Sequence, residues 1–224
     1  MKFIENIQQV AELQPDYLGL IFYEKSPRNF EGIIPDLPKG IKKVGVFVNE
    51  YVEIVVSLIE EYKLDAIQLH GDETVEYIKQ LKEGLRQADL DSASHKKNPR
   101  QVRNDVEIIK VFGVKDEFNF ETLKPYEEVV DYFLFDTKGK ERGGNGITFN
   151  WQILEDYNST KPYFLSGGIG LEEIDELQSF FKREASQYCY AIDVNSKFET
   201  KPGVKSVEKL QKFKAFCQEL TAKS

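Results

Sequence analysis

From residue 17 onward, short apolar runs alternate with longer stretches of helical periodicity, which restricts the chain to parallel strands joined by crossover helices, an α/β fold. Strand candidates are 17–22 (YLGLIF), 43–47 (KVGVF), 66–69 (AIQL), 108–111 (IIKV), 132–135 (YFLF), 163–165 (YFL) and 189–192 (CYAI). Between them apolar residues recur at three and four spacing, as in Val52, Val55, Val56, Ile59 and Tyr62, then Leu171, Ile174, Leu177 and Phe181, then Val207, Leu210, Phe213 and Cys217. Each stripe is expected to lie against the sheet. A length of 224 residues suits one domain, 1–224, folded as a TIM (β/α)8 barrel. Such a barrel closes with eight strands, and here there are seven candidates. The chain opens with an amphipathic helix, MKFIENIQQVAEL, where a first strand is expected. The expectation is therefore a barrel with its first strand truncated and unpaired edges on both neighbours of the gap.

One composition shift interrupts the pattern, a polar insertion at about 88–105 that contains His95 and reads as a solvated loop. The formal net charge of −8 argues against a nucleic-acid or anionic-membrane surface, yet an acidic protein can hold a phosphate on local backbone amides. Cys189 and Cys217 match no metal or disulfide spacing and read as core residues, so neither a metal site nor a disulfide framework is expected. With no signal-peptide pattern and no membrane-length apolar run, a reducing cytoplasm is the expected location.

In parallel barrels chemistry sits where strands run into the following loops. Those positions carry Arg28 in FYEKSPRNF, His70 in QLHGDE, Asp136 in FDTKGKERGGNGITFNW, then SGGIG and DVNSKFE. Asp136 reads as an acid whose neighbours Phe133 and Phe135 desolvate it, or as a carboxylate bracing its loop. Arg28 suits a bidentate carboxylate partner, with a surface ion pair as the alternative. His70 reads as a substrate or positioning group, or as a structural histidine. Gly167 and Gly168, with Asp193, Asn195 and Ser196 on the next strand end, pair two loops where barrels commonly bind phosphate; a lone SGG would be only a turn. Phe149 and Trp151 are expected to anchor their loop.

Taken in order, the segments YLGLIFYEKSPRNF, KKVGVFVN, LDAIQLHGDE, YFLFDTKGKERGGNGITFNW, YFLSGGI and AIDVNSKFETKPGVKSVEKLQKF resemble the successive signatures of the phosphoribosylanthranilate isomerase family over nearly the whole chain. The resemblance implies an Amadori rearrangement in tryptophan biosynthesis with no cofactor and no metal, acting on a small phosphorylated substrate. It implies Asp136 as general acid, Arg28 on the anthranilate carboxylate, His70 at the rim, and phosphate held by the loops of Gly167, Gly168, Asp193, Asn195 and Ser196. It also implies a lid at 143–146 that includes Gly144. A monomer is the default state and a dimer the alternative.

The sequence departs from the family at one point. The family's general base is a cysteine at the end of the first strand, in a segment of the form KVCGM shortly before the Asn-Ile that opens the first helix. Here Asn6 and Ile7 match that opening, but only MKFIE precedes them. Glu5 is a poor substitute. The expectation is a start site placed too far downstream; the alternatives are a truncated homologue and a catalytically impaired barrel that only binds a phosphorylated ligand or a partner. An indole-glycerol-phosphate synthase would want a lysine acid and paired glutamates at strand ends, an arrangement not found here.

Overall fold

The computed structural model describes residues 1–94, 105–137 and 148–221. Seven strands form one sheet: β1 (Tyr17–Phe22), β2 (Lys42–Phe47), β3 (Ala66–Leu69), β4 (Glu107–Val114), β5 (Tyr132–Thr137), β6 (Tyr163–Leu165) and β7 (Cys189–Ile192). They lie side by side in sequence order, and every neighbouring pair is parallel. The helices are α1 (Ile4–Ala11), α2 (Val52–Tyr62), α3 (Val75–Ser94), α4 (Ile174–Phe180) and α5 (Val207–Thr221). After β4 and β5 the crossovers are 3-10 helices, Phe120–Tyr126 and Trp151–Asp156, rather than α-helices. Pro125 inside the first of these lacks the N–H that an α-helical ladder would need. A hairpin of β8 (Glu199–Lys201) and β9 (Val204–Lys205) follows β7, turning at Gly203 with φ +83°.

The two-residue period of the strands sorts their side chains. Val44, Ala66, Ile109, Leu134 and Phe164 fill the interior of the curled sheet. Leu18, Leu20, Phe47, Ile67, Leu69, Ile108, Phe133, Phe135 and Leu165 pack outward into the core that includes Ile7, Ile59, Ile78, Leu177 and Phe213 of the helices. The curl brings the first strand round to the last, with the Tyr17 ring 5.2 Å from Phe164 and 6.4 Å from Tyr190. No ladder joins β1 to β7 among the described residues. Instead both strands border a cavity of about 1750 Å³ that reaches from Tyr17 and Tyr190 to the rim. Residues 1 and 2 cross its upper part, where the Met1 ammonium donates to the Gly19 carbonyl at 2.7 Å and the Lys2 amide to that of Gly203 at 3.1 Å.

The expected strands are all present, three of them longer than expected. β5 runs to Thr137, so Asp136 is a strand residue and not the start of a loop. The polar insertion is corrected in part: α3 continues to Ser94, because nothing between Ala88 and Ser94 is a glycine or proline that would stop it. His95 and the rest of that stretch to 104 lie outside the described residues. Phe149 and Trp151 are buried, as expected of anchors.

Leu20 is fully buried between β1 and the helices, so Leu20→Ala is expected to lower the unfolding free energy by roughly 2–5 kcal/mol in urea titrations.

Candidate active site

Alternation along β5 puts Asp136 on the interior side with Leu134, while Phe133 and Phe135 face the helices. The two phenylalanines therefore do not desolvate Asp136, contrary to the reading from sequence. Its carboxylate is held otherwise: Oδ1 accepts from the Thr137 amide at 2.9 Å, and Oδ2 lies 3.3 Å from His70 Nε2. Both side chains are largely buried, at 14% and 17% exposed. The other ring nitrogen, Nδ1, meets the Gln68 amide nitrogen at 3.1 Å. With Gln68 donating there, Nδ1 is the acceptor and Nε2 carries the proton towards Asp136. His70 is thus a partner of Asp136, fixed from the far side of its ring.

Beside this pair, the turn after β6 places Gly167 and Gly168 at φ +92° and +65°, a conformation that suits glycine. A side chain on Gly167 would run into Thr137 and come within 3.0 Å of Asp136 Oδ1. The bare backbone of this turn is what lets it approach the carboxylate. From the next strand end, Asp193 reaches Ser166, whose Oγ donates to Asp193 Oδ2 at 3.2 Å. Burial, and then the charge of Asp136, push the Asp193 carboxyl above the usual carboxylate range, against the pull of Lys205, Ser166 and His70.

Arg28 is aimed by its own loop, in which the Phe30 amide donates back to Ile21 and Asn29 Oδ1 accepts from the Tyr23 amide. The guanidinium donates from Nε and Nη2 to the carboxylate of Glu199 at 2.7–3.0 Å. Glu199, on β8, also accepts from the Gly203 amide and from Lys205 Nζ. Burial alone would raise the Glu199 carboxyl; Arg28 and Lys205 outweigh it and hold the group below its ordinary value. Lys205 further donates to the backbone and side-chain oxygens of Asn195, at 3.0 and 2.5 Å, and so fixes the residue before Ser196. Arg28 is thus a partly buried ion pair rather than a surface one, with its Nη1 edge not used by Glu199.

Arg28, His70, Asp136, Gly167, Gly168, Asp193, Asn195 and Ser196 all border the same cavity. Gly144 lies outside the described residues. Glu199, Lys205 and Gln68 were missed from sequence, although Pro202-Gly203 marks the hairpin that carries two of them.

The family model described as N-(5'phosphoribosyl)anthranilate (PRA) isomerase matches residues 1–92 and 89–215, two segments that meet within the polar insertion. The chain belongs to this isomerase family. The N-(5'-phosphoribosyl)anthranilate isomerase of Phocaeicola vulgatus is 37% identical over 92% of this chain and 88% of its own length, and that of Parabacteroides distasonis is 35% identical over 95% and 88%. A solved phosphoribosylanthranilate isomerase in complex with reduced 1-(o-carboxyphenylamino)-1-deoxyribulose 5-phosphate superposes with a TM-score of 0.69 at 26% identity, covering 97% of this chain and 94% of its own.

Measured against the family pattern, neither cysteine of this isomerase reaches the rim as a thiolate. Cys189 is the first residue of β7, at the opposite end of the barrel, and burial pushes its thiol up to about 12. Cys217 lies on α5, its thiol pushed by burial to about 11. Glu5 is exposed on α1 and does not border the cavity. Among the described residues no group of histidines, cysteines and carboxylates could hold a metal ion, and no helix is long and apolar enough to cross a membrane.

The raised Asp193 carboxyl makes a stability prediction. A group whose folded value lies above its unfolded one costs stability once ionised, so that cost sets in as pH rises past the ordinary aspartate value of 3.8 and is complete above the folded value. Asp193→Asn removes it. Denaturation at several pH values should find the variant more stable than the parent at pH 7, with the difference vanishing under acid conditions.

Proposed function

We propose that this chain converts N-(5'-phosphoribosyl)anthranilate into 1-(2-carboxyphenylamino)-1-deoxyribulose 5-phosphate, with Asp136 as the general acid. The observation that carries this reading is the His70–Asp136 pair at the rim of a cavity bordered also by Arg28 and the loops after β6 and β7. Asp136 gives its proton to the ring oxygen as the C1'–O bond of the furanose breaks, leaving a cationic imine at C1'. Loss of the C2' proton to a base then gives the enol-amine, which tautomerises to the ketose product. His70 steadies the acid and Arg28 presents its Nη1 edge to the anthranilate carboxylate. The phosphate sits against the backbone of Gly167 and Gly168 and the loop of Asp193, Asn195 and Ser196. The reaction uses no cofactor; the protein acts as a cytoplasmic monomer.

One observation favours a second reading, ligand binding without turnover: Cys189 starts β7 at the end of the barrel away from the rim, Cys217 lies on α5, and both thiols are pushed well above their ordinary value. Fluorescence-monitored turnover of the substrate, alongside calorimetric titration with the reduced product analogue, separates the two. The expected outcome is turnover that Asp136→Asn lowers by roughly 10²–10⁴-fold. Tight binding without turnover would establish the second reading, and absence of both would overturn the site.

A further inference from the structure

Behind the turn that follows β3 lies an ion pair that neither the acid nor the phosphate loops use. Lys110 on β4 and Glu73 meet at 2.9 Å, with side chains 4% and 1% exposed. Lys110 shares its side of the strand with Ile108, whereas Ile109 and Val111 face the barrel interior, so the pair stands outside the catalytic cavity. Most of its hydrogen bonds fall on the backbone around His70. The Lys110 ammonium donates to the carbonyls of Leu69 and Gly71, the residues on either side of that histidine, at 3.3 and 2.8 Å. The Glu73 carboxylate accepts from the Gly71 amide at 2.9 Å and from the Asn49 amide at 2.8 Å. Asn49, itself at φ +51°, returns its side-chain oxygen to the Asp72 amide at 2.6 Å. Gly71 has no room for a side chain, because a β-carbon would strike Asn49 Oδ1 and lie 2.6 Å from Glu73 Oε1.

A buried ion pair contributes little net stability compared with well-packed apolar residues, because desolvating both charges offsets their attraction. What this one supplies is geometry. Three backbone groups flanking a single histidine, together with the Asn49 amide, converge on two charges, and the histidine meets Asp136 through one contact of 3.3 Å. A displacement of the turn by about 1 Å would break that contact, a misplacement of the size that costs an active site about a hundredfold. We propose that Glu73 and Lys110 are positioning residues for the isomerisation, clamping the Gly71–Glu73 turn so that His70 meets Asp136. The proposal rests on the reading of Asp136 and His70 given above.

The chain has only one other histidine, His95, so the His70 ring signals are separable by NMR with a His95→Gln reference. Asp136→Asn should shift the His70 signals in the parent chain. In Glu73→Gln that response should fall by at least about half, with the fold intact by circular dichroism. An undiminished response in Glu73→Gln would overturn the proposal while leaving the site reading in place; no response in the parent would overturn both. Should the single variant fail to fold, the double variant Glu73→Leu, Lys110→Met leaves no lone buried charge and carries the same test. In turnover, Glu73→Gln should lower kcat about tenfold in the parent but less than about twofold in a His70→Ala background, with KM little changed. Equal losses in the two backgrounds would mean a merely structural role and overturn the proposal.

Discussion

Parallel pairing in sequence order is the constraint on which the rest of this molecule depends. Because all seven strands run the same way, their carboxyl ends share one rim, and residues far apart in sequence become neighbours there. The register does the fine placement. Leu69 is level with Lys110 and Asp136 with Gly113, so His70 and Asp136 stand two residues apart along the intervening β4. The interior position of β4 level with Asp136 is Gly113, which has no side chain to stand between them. A one-residue slip in either pairing would turn His70 or Asp136 to the helix side and separate the pair.

Around that rim, charge is buried in two places and compensated differently in each. At β8 and β9 the carboxylate of Glu199 is shared by Arg28, Lys205 and a backbone amide, so one anion ties the loop after β1 to the hairpin after β7. This matters because β1 and β7 are not laddered to each other among the described residues; side-chain ion pairs span the cavity instead. Further links cross it, from Asn6, whose side-chain amide exchanges two hydrogen bonds with the backbone of Lys205 at 2.9 and 2.7 Å, as a strand neighbour would. Behind β3 and β4 the Lys110–Glu73 pair is nearly sealed from water and spends its hydrogen bonds on backbone. Both arrangements follow the rule that a buried charge persists only with partners, and both use the partners to hold a loop.

The strands were legible because apolar runs bounded by polar residues report burial on both faces, and all seven candidates lie within observed strands. What failed was local. The 3-10 crossovers after β4 and β5 leave too few residues for a helical stripe to show, and the end of α3 is written in the mostly polar run ADLDSAS, which sequence patterning reads as a loop. The rim residues with unusual chemistry at strand ends were legible as candidates; their partners were not. Glu73, at the end of QLHGDE, carries no local sign of burial, yet it is buried, and Lys110 sits inside the strand candidate 108–111. A lysine in the apolar run IIKVF was a signal of its own, since an ammonium there must find an anion. Which anion it finds is fixed by register, which no local pattern reveals.

The chemistry of the cavity is asymmetric. It presents an oriented acid, a cation with one edge unused by Glu199, and a glycine turn with no Cβ, but its cysteines are disqualified on energetic as well as geometric grounds. Burial raises the Cys189 thiol well above its ordinary value, so Cys189 would be a feeble base even if substrate reached it. In the proposed reaction the acid depends on β3, β5 and β6, whose pairing is complete, whereas a base for the C2' proton would fall towards the open side between β1 and β7. Under that proposal, protonating the ring oxygen and accepting the C2' proton would draw on separate parts of the barrel, so substrate recognition and ring opening would survive where proton abstraction did not.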